Sequence, residues 1–112
     1  MRGRQAENIA KHYFIRYCYQ IIHRNFRHGS SEIDLIVQKN NLLIFVEVKS
    51  KSNIGFGEPE KNIGPAQIER IKTAAEAFQV MTNWEKDIRF DTILLTFFPQ
   101  AIKIEHFKDA FS

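Results

Sequence analysis

Two segments of the chain carry apolar residues at the spacing of an α-helix. Over residues 5–19 the apolar positions recur every three or four residues, which places them on one helical face. The same spacing recurs over residues 68–78, and Pro65 suits the first turn of a helix that runs to about Met81. The pattern therefore predicts two amphipathic helices.

In the other segments, apolar and polar residues either alternate, as in β-strands, or follow no regular spacing. We predict a short strand over residues 20–26, a β-hairpin over residues 32–49, and two later strands over residues 87–98 and 101–105. The stretch 51–64 holds three Gly and one Pro without periodicity, which predicts a long loop. The order of elements predicts an α/β domain with a mixed sheet of about five strands flanked by helices.

The hairpin carries the most informative pattern in the chain. A two-residue turn at residues 40–41, where two Asn tolerate a left-handed backbone, places Asp34 directly opposite Glu47. Strand alternation puts Glu32 and Lys49 on the same face as this pair. The other face of the hairpin is wholly apolar and consists of Ile33, Leu35, Val37, Ile44, Val46 and Val48.

The composition is typical of one small globular domain. The 112 residues are 44% hydrophobic and 26% charged, which suits a core that folds without disulfides. Cys18 is the single cysteine and is expected in the core, so zinc sites built on cysteine pairs are excluded. No apolar run approaches the roughly 18 residues of a membrane span, and residues 1–4 do not resemble a signal peptide. We therefore expect a single domain over residues 1–112 in the cytoplasm, without a membrane partner.

Positive charge is concentrated in the first quarter of the chain. Residues 1–30 contain six basic residues and one acidic residue, whereas the net charge of the whole chain is only +3. A local basic surface is typical of proteins that bind phosphate groups, although solvated helices also carry such surfaces. Arg24 and Arg27 flank the carboxylate end of the hairpin, so we expect them to contact the phosphates of a nucleic acid, with Lys51 next.

Asp34 and Glu47 repel each other when both are ionised. At about 5 Å and an effective dielectric constant near 20, two unit charges repel by roughly 3 kcal/mol. A divalent cation held by both carboxylates, with Lys49 beside it, offsets this repulsion, and Mg²⁺ prefers oxygen ligands. Such a site suits phosphodiester hydrolysis, in which the metal acidifies water and Lys orients or deprotonates it. The competing interpretation is that Glu47 and Lys49 finish an edge strand in solvent.

The same residues lie within a longer motif. Residues 31–36 are Ser-Glu-Ile-Asp-Leu-Ile and residues 44–50 are Ile-Phe-Val-Glu-Val-Lys-Ser. This pair of segments resembles the [GS]-E-I-D-L-I and F-V-E-V-K-[ST] signature of the YraN-type bacterial proteins. Glu7 with Ala10, residues 24–27 (Arg-Asn-Phe-Arg) and residues 89–91 (Arg-Phe-Asp) resemble further segments of that family in the same order. The resemblance covers nearly the whole chain.

The YraN-type proteins are predicted members of the PD-(D/E)XK nuclease superfamily, distantly similar to archaeal Holliday-junction resolvases. The resemblance implies the restriction-endonuclease-like fold, with Asp34 and Glu47 as ligands of Mg²⁺ or Mn²⁺. It further implies that Lys49 is the third catalytic group and that Glu7 adds a carboxylate to the metal site. Gln67 stands where a Lys is common in the family, near the expected position of the scissile phosphate, so we include it among the nucleic-acid-binding residues. Cys18 stands where the family usually has Gly.

Three functional hypotheses follow. The first is a metal-dependent nuclease that hydrolyses phosphodiester bonds in DNA, including branched or junction DNA. The alternative is a catalytically silent nucleic-acid-binding module that retains the nuclease fold, and the third is a protein-interaction domain without affinity for nucleic acid. Many PD-(D/E)XK junction enzymes are dimers, so the resemblance also allows a homodimer, although the chain carries no coiled-coil signature.

Overall fold

A computed structural model describes residues 2–52 and 64–111 of the chain. Within these residues, two helices and five strands follow one another in the predicted order. They are α1 (Arg2–Arg16), β1 (Gln20–His28), β2 (Ser31–Lys39), β3 (Leu42–Ser52), α2 (Pro65–Thr82), β4 (Asp87–Phe97) and β5 (Ile102–Phe107). Most of the loop predicted over residues 51–64 lies outside the described residues, and its first two residues continue β3.

The five strands form one mixed sheet in the order β1-β2-β3-β4-β5. Neighbouring strands are antiparallel except β3 and β4, which run parallel over their full lengths. α2 lies between β3 and β4 in sequence, because a parallel pair needs a crossover connection. The predicted α/β class with about five mixed strands is confirmed, and the sheet is open rather than closed into a barrel.

α1 covers one face of the sheet. Its buried residues are Ala6, Ala10 and Phe14, which recur at the four-residue spacing of a helix face. The two alanines let the helix backbone approach the sheet, and Phe14 fills the space beyond them. The strand residues of this cluster come from three neighbouring strands and are Leu35, Val37, Ile44, Val46, Ile93 and Leu95.

α2 covers the opposite face. Pro65 begins the helix as predicted, and Ile71, Ala74, Ala75 and Phe78 are buried against the sheet. Their partners on the strands include Ile36, Leu43 and Phe45, with Trp84 packed at the margin. The sheet is therefore buried on both faces, and the hairpin lies in its centre. Neither helix of the described part of the chain is long and apolar enough to cross a membrane.

One residue of the hairpin faces the side opposite to the prediction. Strand alternation predicts Ile33 on the same face as Leu35, but Ile33 packs with Phe26 in the α2 cluster. Asn25, which precedes Phe26 in β1, has a φ of 53°, a value outside the range of regular strands. The paired ladder between β2 and β3 also stops at Leu35. The alternation is interrupted at this level, which allows Ile33 to turn to the other face.

The ends of α1 and β1 also differ from the sequence prediction. α1 ends at Arg16 because Cys18 adopts the left-handed conformation, with a φ of 68°. Cys18 is exposed there, so its predicted place in the core is wrong. The Gly that YraN-type proteins usually have at this position takes that conformation without a steric penalty. β1 extends to His28 because its last residues pair with the start of β2.

Candidate active site

The β2–β3 hairpin brings Asp34 and Glu47 together. The ladder follows the predicted register as far as the pair Leu35 and Val46, and the next position in that register is Asp34 opposite Glu47. Here the regular ladder stops, because Oδ2 of Asp34 accepts the backbone N–H of Val48 at 2.8 Å. The two carboxyl groups also share a hydrogen bond. The strands thus open at the point where the acidic side chains meet.

The first turn of α2 closes one side of this opening. Gln67 donates a hydrogen bond from Nε2 to Oε2 of Glu47. Lys49 Nζ lies 3.5 Å from the same Glu47 oxygen and donates to Oε1 of Gln67 at 3.3 Å. Glu47 is buried and Lys49 is half-buried. The Gln67 amide therefore bridges the carboxylate and the ammonium group, and holds both side chains in place.

Burial and like charge act together on Asp34. Burial is the largest effect, followed by the negative charge of Glu47, and together they raise the pKa of Asp34 to about 8 despite the hydrogen bond from Val48. The hydrogen bond to Glu47 and the charge of Glu32 contribute to the same increase. Near neutral pH the pair therefore retains a proton. A cation that replaced this proton would remove the repulsion between the two carboxylates.

These residues fit a divalent cation with hard oxygen ligands. Mg²⁺ is commonly held by one or two carboxylates and completes its coordination with water and substrate phosphates. Asp34 and Glu47 supply two carboxylates that act on each other across the hairpin. Within residues 2–52 and 64–111, no group of three or more His, Cys, Asp or Glu side chains is placed to hold a metal. The pair would therefore act with non-protein ligands.

Glu7 lies at a neighbouring position on α1. Its Oε1 accepts a hydrogen bond from Nδ2 of Asn25 at 3.1 Å, and its side chain is half-buried. The register of β1 against β2 puts Asn25 at the level of Asp34. Glu7 thus contacts β1 at the level of Asp34, but among the described residues it does not join a three-carboxylate cluster.

Arg24 and Arg27 line a polar cavity of about 600 Å³ together with Glu7 and Glu32. Arg24 donates from Nη2 to Oδ1 of Asn8 at 2.7 Å, whereas its buried Nε has no hydrogen-bond partner in the part of the chain that the structure describes. Nε of Arg27 lies 3.6 Å from Glu32, and the side chain of Arg27 is 73% exposed. The two guanidinium groups therefore lie beside Glu7 and Glu32, with donors that are free to meet an anion.

Comparisons with known proteins identify the family of the chain. The model of "Uncharacterised protein family UPF0102" matches residues 6–95. A UPF0102 protein from Flavobacterium psychrophilum is 36% identical over 109 residues, covering 97% of this chain and 92% of that protein. Relatives from Bacteroides thetaiotaomicron (37%, covering 97% and 90%) and Natranaerobius thermophilus (41%, covering 98% and 96%) carry the same family name.

The chain belongs to the UPF0102 family. This family is the YraN family, so the predicted membership is confirmed. The match begins in α1 and ends within β4, and it includes both carboxylates, Lys49 and Gln67.

Lys51 is the last of the predicted site residues of this UPF0102 protein. It lies in β3 and is half-buried, two residues beyond Lys49 on the same side of the strand by alternation. Glu47, Lys49 and Lys51 therefore form one row along β3. This row places two lysines after the buried carboxylate.

Asp91, the acidic residue of the Arg-Phe-Asp segment, has a different environment. It is fully buried and accepts two hydrogen bonds from Arg89, from Nε and Nη2, both at 2.8 Å. His106 Nε2 lies 2.7 Å from Asp91 Oδ2, and the Asp109 N–H donates to Oδ1 at 2.9 Å. Burial opposes ionisation of Asp91, but these hydrogen bonds outweigh it and hold its pKa below the usual value. Asp91 is therefore paired with Arg89.

Two residues contribute to the site in ways that the sequence did not indicate. Gln67 is expected to substitute for a phosphate-binding Lys, whereas its amide contacts Glu47 and Lys49 within the protein. Asn25, for which no role is predicted, holds Glu7 and breaks the alternation of β1. Asn tolerates positive φ better than most residues, and that preference is the only local signal in the sequence.

Proposed function

We propose that this UPF0102 protein is a metal-dependent nuclease that hydrolyses phosphodiester bonds in DNA. The observation that carries the proposal is the pair of half-buried Asp34 and buried Glu47, which face each other across an opened strand ladder with Lys49 beside them. Two carboxylates in this position weaken the apo fold, because one must hold a proton near neutral pH. Binding of a cation by both carboxylates would account for this arrangement.

Asp34 and Glu47 are the residues that would hold Mg²⁺ or Mn²⁺. When bound, the cation would supply positive charge beside a phosphoryl oxygen and a water of lowered pKa. Val48 keeps Asp34 in position through its N–H, and Gln67 does the same for Glu47 through its amide. Both carboxylates are thus oriented before any ligand arrives, which limits the reorganisation that binding requires.

Lys49 is the proposed partner of the attacking water. Its Nζ lies near Glu47 and Gln67 and is only partly exposed, so the ammonium group faces the site from a fixed direction. In that position it orients the water and offsets negative charge as it develops on the phosphate oxygens. α2 also begins here, with Gly64 as an N-cap that makes no side-chain hydrogen bond. The N–H groups of this first turn favour a phosphate nearby.

Arg24 and Arg27 are the proposed contacts to the DNA backbone. They line a cavity with Glu7 and Glu32, and among the described residues the buried Nε of Arg24 lacks a partner. A phosphate oxygen would provide that partner. Guanidinium groups suit this role because their planar array of donors matches phosphate geometry.

The test combines metal binding with cleavage. Mg²⁺ and Mn²⁺ are titrated by calorimetry into the wild type, into Asp34→Asn/Glu47→Gln, and into Glu69→Gln/Glu85→Gln as a control that removes two exposed carboxylates elsewhere. We expect saturable binding in the wild type and the control, and none in the site variant. The same samples are then mixed with labelled linear, flap and four-way-junction DNA, and we expect cutting only where metal binds. Wild-type protein that binds no divalent cation, with or without DNA, would refute the proposal.

A silent nucleic-acid-binding module is the second candidate. The observation that favours it is Gln67, whose amide already satisfies Glu47 without a cation. This candidate predicts salt-sensitive DNA binding that persists in Asp34→Asn/Glu47→Gln and falls in Arg24→Gln/Arg27→Gln. Arg16→Gln/Arg70→Gln removes the same charge from exposed positions outside the site and serves as the control. Cutting of any DNA by the wild type, absent in the carboxylate variant, would exclude this candidate.

A further inference from the structure

A second polar cavity lies at the turn end of the β2–β3 hairpin. Its volume is about 440 Å³, and its polar lining consists mainly of Lys39, Asn40, Asn41, Asp87, Arg89 and Lys108. The turn is separated from the carboxylate pair by about five residues of strand, or roughly 17 Å. None of the residues assigned to the candidate active site lines this cavity. The two sites are therefore distinct.

Arg89 gives the cavity a fixed cationic wall. Its Nε and Nη2 are both held by Asp91, which is itself fixed by His106 and the Asp109 N–H. His106 is held in turn by the hydroxyl of Tyr13 at 3.0 Å. This buried network prevents the guanidinium group from rotating away. Tyr19, which also lines the cavity, takes a further side-chain hydrogen bond from the guanidinium group, and the donors that neither Asp91 nor Tyr19 uses remain for a ligand.

The lysines of the cavity lack carboxylate partners. Lys39 Nζ donates to the carbonyl of Tyr17 at 3.2 Å and lies 4.6 Å from the centre of the Tyr19 ring. Within the described part of the chain, neither Lys39 nor Lys108 forms an ion pair. Lys86 adds a further ammonium group at the margin, where it donates to Oδ1 of Asn41 at 3.2 Å. The charge of these lysines is thus not neutralised by ion pairs.

Among the described residues that line the cavity, Asp87 is the only carboxylate. Three cationic side chains line it and a fourth lies at the turn, so the net charge remains positive after Asp87 and Asp91, the partner of Arg89, are counted. Asn40 and Asn41 bring amide groups to the cavity. Asn40 adopts the left-handed conformation in this turn, with a φ of 56°. Fixed guanidinium, mobile ammonium and amide donors together form a set that recognises tetrahedral oxyanions.

We propose that this cavity, with Arg89 as its fixed wall and Lys39 and Lys108 as its mobile cations, is a phosphate-binding site. The phosphate belongs either to a nucleic-acid backbone or to a free phosphorylated small molecule, and the chemistry of recognition is the same. The proposal does not require that the carboxylate pair bind metal or that the protein cut DNA. It adds a second point of anion contact on a part of the surface outside the basic first quarter of the chain.

The test begins with inorganic phosphate titrated into ¹⁵N-labelled full-length protein. We expect saturable shifts of amides around the hairpin turn and around Lys108, and at least tenfold weaker binding in Lys39→Gln/Lys108→Gln. Lys72→Gln/Lys103→Gln removes the same charge elsewhere and should bind phosphate like the wild type. Lys39 contacts Tyr17 and Tyr19, so a variant that fails to fold is replaced by Lys108→Glu, whose side chain is exposed.

Two further arms identify the source of the phosphate. If the ligand is a nucleic-acid backbone, duplex DNA binds the double variant more weakly. The slope of log K against log salt concentration then decreases by the amount expected for about one phosphate contact. If the ligand is a small molecule, a deoxynucleoside 5′-monophosphate loses at least tenfold in affinity while duplex binding is unchanged. Absence of saturable shifts at the cavity, or equal phosphate affinity in wild type and Lys108→Glu, would overturn the proposal. Neither result would bear on the metal site, which is tested by the carboxylate variants.

Discussion

Asp34 and Asp91 are both aspartates in central strands of the same sheet, yet their surroundings differ in kind. Asp91 meets a guanidinium group, an imidazole and a backbone N–H, and its pKa falls despite complete burial. Asp34 meets one backbone N–H and a second carboxyl group, and its pKa rises to about 8. A buried acid with all its partners stabilises the fold, whereas an acid that faces a second carboxyl group is destabilised when both ionise.

The two hydrogen-bond environments also differ in origin. The partners of Asp91 come from β4, β5 and the segment after β5, so the carboxylate joins elements that are distant in sequence. Asp34 has its contacts within one hairpin. The first environment ties the C-terminal part of the chain to the sheet, and the second leaves a carboxyl group facing the opening between two strands.

The largest effect is expected from Asp91→Asn. The variant leaves Arg89 and His106 without a negative partner in the core, and we expect the free energy of unfolding to fall by about 3–5 kcal/mol. Urea denaturation followed by circular dichroism measures the change. Asp87→Asn, an exposed change in the same strand, is the control and should stay within about 0.5 kcal/mol of the wild type. A decrease in unfolding free energy below about 1 kcal/mol for Asp91→Asn would mean that the charge of Asp91 contributes little to the stability of the fold.

Addition of a divalent cation should stabilise the folded protein through Asp34 and Glu47. At a Mn²⁺ concentration one hundred times the dissociation constant, binding to the folded state stabilises it by about 2.7 kcal/mol. We therefore expect Mn²⁺ to raise the melting temperature of the wild type and of Asp87→Asn, but not of Asp34→Asn/Glu47→Gln. Because the cation displaces a proton from Asp34, its affinity should increase between pH 6 and pH 8. Equal stabilisation of the site variant by Mn²⁺ would place the metal elsewhere.

Asp34→Asn should stabilise the metal-free protein at alkaline pH. The folded-state pKa of Asp34, about 8, lies above its ordinary value of 3.8, so the folded state holds a proton that the unfolded state releases. This contribution is complete below about pH 4 and is lost as pH rises towards 8. Asn retains an acceptor for the Val48 N–H and does not ionise. Relative to wild type, the variant should gain about 2 kcal/mol between pH 6 and pH 8.

Urea denaturation in the presence of a chelator, at four pH values across this range, measures the gain. Glu69→Gln, an exposed carboxylate on α2, provides the matched comparison and should follow the wild type at every pH. A difference between Asp34→Asn and wild type that does not grow with pH would show that Asp34 ionises normally in the folded protein.

The smallest effect is expected from Glu32→Gln. Glu32 is exposed, and its charge is the last and weakest of the contributions that raise the pKa of Asp34. We expect a small decrease in that pKa by ¹³C NMR of the side-chain carboxyl group, and a change in unfolding free energy within about 0.5 kcal/mol. Glu105→Gln, on the far edge strand, should leave the titration of Asp34 unchanged. A large decrease for Glu32→Gln would mean that surface charge, rather than burial and Glu47, controls the pair.

The central hairpin could be predicted because its information is local. Alternation and a two-residue turn determine the register, and the register alone puts Asp34 opposite Glu47. Pro65 marks the start of α2 for a similar reason, since its fixed φ and missing N–H suit a first helical turn. The partners of Asp91 lie as far as 18 residues away, and the Tyr13–His106 contact spans 93 residues. No periodicity in the sequence reports such contacts.

The position of Ile33 could not be predicted for a different physical reason. Alternation assumes that every residue of a strand keeps an extended backbone, and Asn25 departs from it with a positive φ. The same departure holds Asn25 against Glu7. The irregularity lies beside the candidate active site, where a pattern-based prediction is least able to detect it.

The hydrogen bond from Val48 to Asp34 gives the protein an internal spectroscopic probe. The resonance of an amide that donates to a carboxylate depends on the charge of that carboxylate, so the ¹H–¹⁵N signal of Val48 should move when Asp34 loses its proton. It should move again when a cation occupies the pair. A single labelled sample can therefore follow proton, metal and substrate at this carboxylate in turn, with no dye and no fluorescent tag, whichever nucleic acid is added.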